Sequence, residues 1–219
     1  MAAEYFCSDC HTPFLDPYPL DEQGRCMMCR LGLKGYDTVY TFGSYEDTLR
    51  ELIHLFKYGS VRPLAKPLAT LAARAIPFEH AFDVVVPMPL HWKKRWTRGY
   101  NQSELLAREI ARRRDVPMKN LMRRVKSTAA QAGLSNSKRR LNVRGAFALR
   151  KGVDVKGLRI LLVDDVLTTG ATASACARVL KRAGAKHVAI CAVARTDRRF
   201  TELNRENEPP ALAARSGTS

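Results

Sequence analysis

Three stretches of this 219-residue chain are apolar almost without interruption: "FDVVVPMP" (82–89), "LRILLVDDV" (158–166) and "KHVAICAVAR" (186–195). Successive side chains of a strand point to opposite faces, so a strand with one wet face alternates apolar and polar residues. These three do not alternate, and both of their faces must be covered. The intervening segments can supply the cover. Leu49, Leu52, Ile53 and Phe56 recur at helical spacing within 46–57. Pro63 and Pro67 mark the entry of a second helix that ends near Ile76 and Pro77, and 103–114 reads as a third. A fourth runs over 171–183 and is closed by Gly184. "YDTVYTFGSY" (36–45) alternates like a further strand, and 116–125 reads as extended. This order predicts an α/β fold, a parallel sheet flanked by helices on both faces. No apolar run approaches the roughly 20 residues of a membrane helix, so no membrane insertion is expected. The first residues lack a basic segment followed by an apolar one, and the expected location is the cytoplasm.

In such a sheet, ligands bind beyond the C-terminal ends of the strands. Two ends stand out. One carries Pro87, Met88 and Pro89. The other is "LLVDDVLTTGAT" (161–172), where the apolar run meets Asp164 and Asp165 and then a turn of Thr168, Thr169, Gly170, Ala171 and Thr172. Backbone N–H groups and hydroxyls at the start of a helix form a cradle for phosphate. Gly170 lets the backbone approach closely or take a positive φ. The acids cannot bind phosphate. They can accept hydrogen bonds from a vicinal diol or hold Mg²⁺. Phosphate and diol together describe a ribose 5-phosphate. The plain alternative is a capped helix preceded by turn-forming threonines.

Four of the six cysteines form two pairs, Cys7-x-x-Cys10 and Cys26-x-x-Cys29, with 15 residues between them. Two thiolates three residues apart on a tight turn can face one ion, and two such turns complete a tetrahedron. The pattern predicts a structural zinc site with no open position for chemistry. Gly24 suits the turn before the second pair. Cys176 and Cys191, among small apolar residues, read as buried packing residues.

The net charge of +16 points to a polyanionic partner, and it is concentrated. Residues 91–150 hold 17 Lys and Arg against 3 Asp and Glu. Within "HWKKRWTRGYNQ" (91–102), Lys93, Arg95 and Arg98 can neutralise pyrophosphate. Equally, Lys93, Lys94, Arg95 and Trp96, with Arg139 and Arg140 further on, suit single-stranded nucleic acid, where bases stack on rings and cations track phosphates. Packed tryptophans under a solvated basic face are the third possibility.

"LLVDDVLTTGAT" resembles the phosphoribosyl pyrophosphate (PRPP) motif of type I phosphoribosyltransferases. "IHLFKYGS" (53–60), "VVPMPLHWKKRWTRGYNQSELLA" (85–107) and "AQAGLSNSKRRLNVRGAF" (130–147) accompany it in order, behind the cysteine pairs. The whole of 5–197 resembles the ComF family (ComFC and GntX-type proteins), linked to natural competence and DNA uptake. Met88 stands where the motif more often has Val. The resemblance implies a type I phosphoribosyltransferase-like sheet at 35–202 behind a zinc-ribbon module at 1–34; the tail at 203–219 lacks apolar periodicity and is expected to be disordered. It implies Asp164 and Asp165 on the ribose hydroxyls and Mg²⁺ in the catalytic centre. It also places Thr168 to Thr172 on the 5-phosphate, the Pro87–Pro89 loop on pyrophosphate and 123–147 as a hood. A competence helicase or translocase is an implied partner. Two alternatives accompany it: a non-catalytic accessory protein that binds single-stranded DNA, and a nucleotide-salvage transferase of unknown acceptor.

Overall fold

The computed structural model describes residues 5–10, 12–14, 20–30, 35–59, 61–90, 99–125 and 145–196. Four strands form one all-parallel sheet: β3 (Thr38–Ser44), β4 (Val84–Pro87), β7 (Arg159–Leu167) and β8 (His187–Arg195). Their spatial order is β3-β8-β7-β4, so the first of these strands in the chain lies at one edge and the second at the other. β7 and β8 occupy the interior. Two short pairs flank this sheet, β1 (Tyr5–Phe6) with β2 (Pro13–Phe14) and β5 (Met122–Arg124) with β6 (Phe147–Leu149), both antiparallel. The segment expected to be extended over 116–125 contributes a single parallel bridge, Met118 beside Val85, before entering β5.

The uninterrupted apolar runs are buried on both faces, as their composition requires. On one face, Val84, Val86, Ile160, Leu162, Val188 and Ile190 pack with Cys176, Ala177 and Leu180 of α5 (Ala171–Arg182). On the other, Val85, Leu161, Val163, Ala189, Cys191 and Val193 pack against three helices. These are α2 (Asp47–Tyr58), α3 (Ala65–Arg74) and α4 (Gln102–Arg114), with a 3₁₀ turn, Arg62–Leu64, leading into α3. Each fully buried Leu, Ile or Val side chain contributes about 1.5–3 kcal/mol. Cys176 and Cys191 are buried packing residues, as expected. His54, beside the apolar stripe of α2, is exposed and rests against the ring of Tyr58 at 4.7 Å between centroids. No helix among the described residues is long and apolar enough to cross a membrane.

One carboxylate fixes the entry of each edge strand. Asp37, just before β3, accepts from the Val188 N–H of β8 at 2.7 Å and from the Lys181 ammonium of α5 at 2.9 Å. Asp83, just before β4, accepts from the Arg159 N–H of β7 at 2.7 Å and from its guanidinium at 2.7 Å. A slip of one residue in either edge strand would move its side chains to the opposite face and break its anchor.

The cysteine-bearing segment, which includes the short helix α1 (Met27–Arg30), packs on the α5 side. Cys7, Cys10, Phe14 and Cys26 belong to the same buried cluster as α5. The Val39 N–H of β3 donates to the Cys10 carbonyl at 3.2 Å. Gly35, which leads into β3, lies so close to α5 that a Cβ there would sit 2.5 Å from the Ser174 carbonyl oxygen and 2.5 Å from Arg178 Cγ. Gly35→Ala is therefore expected to lower stability by about 1–3 kcal/mol in denaturant unfolding, the range for overpacking against backbone. Gly152→Asn, at a positive φ with nothing within 4 Å, is expected to stay within about 1 kcal/mol of the parent.

Candidate functional site

β4 and β7 run side by side, with Pro87 paired to Val163, and they end on the same edge of the sheet. The Met88 N–H donates to the Val163 carbonyl at 2.8 Å, which adds one rung beyond the strand. Pro87 and Met88 are buried there, and Pro89 is partly exposed. β7 continues past its neighbour. Asp164 is registered with Ala192 of β8 and Val166 with Ala194, so both acids lie in the strand, supported from one side only. Thr168, Thr169 and Gly170 then turn the chain, and α5 begins at Ala171. Gly170 has φ of 69°, the left-handed region where a Cβ is strained. Thr169 Oγ1 accepts from the Ala171 N–H at 3.3 Å, and the Ser174 N–H donates to the Gly170 carbonyl at 2.8 Å. One edge of the sheet thus brings together Pro87–Pro89, Asp164, Asp165 and Thr168–Thr172.

Each acid is held through one oxygen. Asp164 Oδ1 accepts from Ser103 Oγ at 3.0 Å and from the Asp165 N–H at 2.9 Å. Asp165 Oδ1 accepts from the Val166 N–H at 2.7 Å and forms an ion pair with Lys57 Nζ at 3.2 Å. Among the described residues, neither Oδ2 has a hydrogen-bond partner, so each carboxylate keeps an oxygen for a hydroxyl or a hard cation. Burial, and then the adjacent Asp165 charge, push the Asp164 carboxyl up to about 7.

Lys57 and Ser103 do not emerge as site residues from sequence reasoning. They are placed by four consecutive residues, Tyr100 to Ser103. The Tyr100 hydroxyl donates to the Phe56 carbonyl. Asn101 caps α4 by accepting from the Ser103 N–H at 3.2 Å, and its Nδ2 donates to the Met88 carbonyl at 3.1 Å. Gln102, buried, donates from Nε2 to the Lys57 carbonyl at 3.5 Å. Ser103 reaches Asp164. The last turn of α2, the end of β4 and the acids of β7 are joined through the start of α4. In sequence, "YNQS" shows only a cap signal. Its partners lie 13 to 61 residues away.

The four paired cysteines also meet. Their Sγ atoms all lie within 4.8 Å of one another, with Cys7 to Cys29 at 3.7 Å and Cys10 to Cys26 at 3.8 Å. A tetrahedral zinc ion with Zn–S bonds of about 2.3 Å separates its sulfurs by about 3.8 Å, so the donor set fits the metal. The knuckle geometry supports it. The Cys26 N–H donates to Cys7 Sγ at 3.2 Å, and Gly24 takes φ of 71°. The hydrogen bond with Cys26, then burial, push the Cys10 thiol up, while the same bond lowers Cys26 to about 5. Burial lifts Cys29 to about 12. Four thiols packed this closely cannot all ionise without a cation among them.

The remaining site expectations, Lys93, Lys94, Arg95, Trp96, Arg98, Arg139 and Arg140, lie outside the described residues, as does the tail at 203–219.

A family model described as a phosphoribosyl transferase domain matches residues 101–209, a span that holds Ser103, both acids and the threonine turn but not the cysteines. The chain is 34% identical over 180 residues to Competence protein F of Haemophilus influenzae, covering 78% of each protein. It is 30% identical over 197 residues to the DNA utilization protein YhgH of Salmonella typhimurium, covering 87% of this chain and 84% of that one. It is 28% identical over 151 residues to Competence protein ComFC of Bacillus subtilis, covering 67% of this chain and 58% of that one.

Two measurements follow from this geometry. Elemental analysis is expected to find about one zinc per chain, lost in Cys26→Ser, and chelation is expected to lower the thermal midpoint. The raised Asp164 carboxyl costs stability where the folded protein must ionise it. The cost is absent below the unfolded value of 3.8, grows as the pH rises to about 7 and is complete above that. Asp164→Asn is therefore expected to melt a few degrees above the parent at pH 8 and together with it near pH 3.5, read by calorimetric scans.

Proposed function

We propose, for a chain that belongs to the ComF family of phosphoribosyltransferase-domain proteins, that it binds PRPP with Mg²⁺ at this strand edge and serves the handling of incoming DNA in natural competence. The observation that carries the reading is the pairing of two partly satisfied carboxylates with a threonine-rich helix start on one edge. A ribose phosphate needs acceptors for its two hydroxyls and donors for its phosphate, and the edge offers each in turn. Asp164 and Asp165 accept from the hydroxyls through their open oxygens. Thr168 to Thr172 and the first turn of α5 donate to the 5-phosphate. The end of β4, Pro87 to Pro89, faces the pyrophosphate arm, with Arg98 and its basic neighbours as counter-charges. Bound Mg²⁺ would neutralise charge on the pyrophosphate as it departs. The protein's own contribution to transfer at C1 is position and electrostatic stabilisation. The cysteine cluster holds zinc as a structural element of the same protein.

The DNA side of the reading is supported by the relatives' names, Competence protein F and DNA utilization protein. It is also supported by the charge of 91–150, 17 cations against 3 anions. In this setting Lys93, Lys94, Arg95, Trp96, Arg139 and Arg140 bind single-stranded DNA, and a helicase or translocase delivers it in the cytoplasm. A purely DNA-binding accessory protein is the second reading that this charge favours.

One titration separates them. The parent protein is expected to bind PRPP only with Mg²⁺, and Asp164→Asn with Asp165→Asn is expected to lose that heat while keeping affinity for single-stranded DNA. DNA affinity is expected to fall steeply with salt and to drop in the Lys93, Lys94, Arg95 and Arg98 to Ala variant. A folded, zinc-loaded protein that gives no PRPP heat leaves the accessory reading in its place.

A further inference from the structure

We propose that Lys57 is a movable counter-ion of the acidic pair. It neutralises Asp165 while the site is empty, and it transfers to an anionic oxygen of the ligand when a divalent cation takes its place. The inference rests on the PRPP–Mg²⁺ reading given above.

The ion pair between Lys57 Nζ and Asp165 Oδ1 spans 3.2 Å, and both side chains are largely buried, 17% and 13% exposed. A surface pair would be worth little, but one that is mostly removed from water is a strong local tie, and neither charge can be left alone there. Asp165 is also one of the two acids offered to the cation. A divalent ion on the open Oδ2 would face the ammonium on Oδ1 across a single carboxylate, and two cations held that close repel strongly. Metal and lysine therefore compete.

The geometry restricts how the competition resolves. The backbone of Lys57 is fixed. Gln102 holds its carbonyl at 3.5 Å, and Tyr100 holds the carbonyl of Phe56 beside it. Tyr100 is itself covered by the Arg62 guanidinium, 5.0 Å from its ring centre. Only the side chain is free to move, and its ammonium lies 5.8 Å from the ring of Tyr45, an adjacent surface that tolerates a cation. Lysine suits such a transfer better than arginine. It is a compact charge on a flexible stem with three rotatable donors, one of which serves Asp165. PRPP brings more negative charge than one divalent ion removes. Displaced from Asp165, Lys57 gains a phosphate oxygen as its new partner. Metal and PRPP then bind together better than either does alone, because each relieves the other's cost.

The test uses Lys57→Gln and Lys57→Met in the full zinc-loaded chain, the second keeping the apolar stem, with Lys57→Arg as a charge-conserving control. Thermal scans check folding. Mn²⁺ binding without ligand is read by paramagnetic resonance, and PRPP binding in saturating Mg²⁺ by calorimetry. The expected result is opposite in sign for the two. The uncharged variants bind Mn²⁺ alone about tenfold more tightly and PRPP about tenfold or more weakly than the parent, a change of about 1.4 kcal/mol each way. Lys57→Arg, which keeps the charge but not the compact ammonium, falls between the parent and the uncharged variants in both. Folded variants that weaken both ligands together, or change neither, overturn the inference while the PRPP site stands. A parent protein that binds no PRPP overturns the underlying reading and the inference with it.

Discussion

Two neighbouring carboxylates at the end of a buried strand are a problem in electrostatics. Asp164 and Asp165 lose much of their water and repel each other, and Asp164 responds by holding its proton up to about pH 7. The protein offsets this with one cation, one hydroxyl and two backbone N–H groups. All four act on the Oδ1 atoms alone. The structure does not neutralise the pair completely. It leaves one oxygen on each acid and a raised carboxyl, an arrangement that costs stability and belongs to the kind that clusters at functional sites.

The sheet order makes this possible. β7 is an interior strand and extends beyond β4 on one side while still paired with β8 on the other. The acids are therefore rigidly held by a ladder yet open toward the shorter neighbour. The gap is closed by Tyr100 to Ser103, which join α2, β4 and β7 through their backbone carbonyls and one carboxylate. Carbonyl partners are insensitive to side-chain identity. The position of Lys57 thus depends on what residues 100–103 are, more than on its own immediate neighbours.

The cysteine cluster packs against the opposite face of the same sheet, on α5. Its Cys10 carbonyl receives a hydrogen bond from β3, and Gly35 lets the connection lie flat on α5, the helix that begins at the threonine turn. Arg195, at the end of β8, stacks over Phe14 at 4.0 Å from the ring centre. The cysteine-bearing segment is packed into the core that supports the site. It is not a separate bead on the chain.

Much of this is legible in the chain itself. The unbroken apolar runs demand a sheet covered on both faces, the spacing of four cysteines predicts that their thiols meet, and the run from Leu161 to Thr172 sets two acids and a threonine turn in order along a strand and turn. These are local signals, because residues close in sequence are close in space along a strand, a knuckle or a helix start. What the sequence does not contain is the identity of partners across the fold. Lys57 sits in an amphipathic helix 108 residues before Asp165, and Ser103 in another 61 before Asp164. Periodicity shows which face of each helix is buried. It does not show which helix end meets which strand end. Only the order β3-β8-β7-β4, together with the stacking of α2 and α4 on one face, decides that. The physical reason is that hydrophobic burial sets which surfaces are covered without direction, whereas a hydrogen bond or an ion pair forms only after the backbone has brought two atoms within about 3 Å.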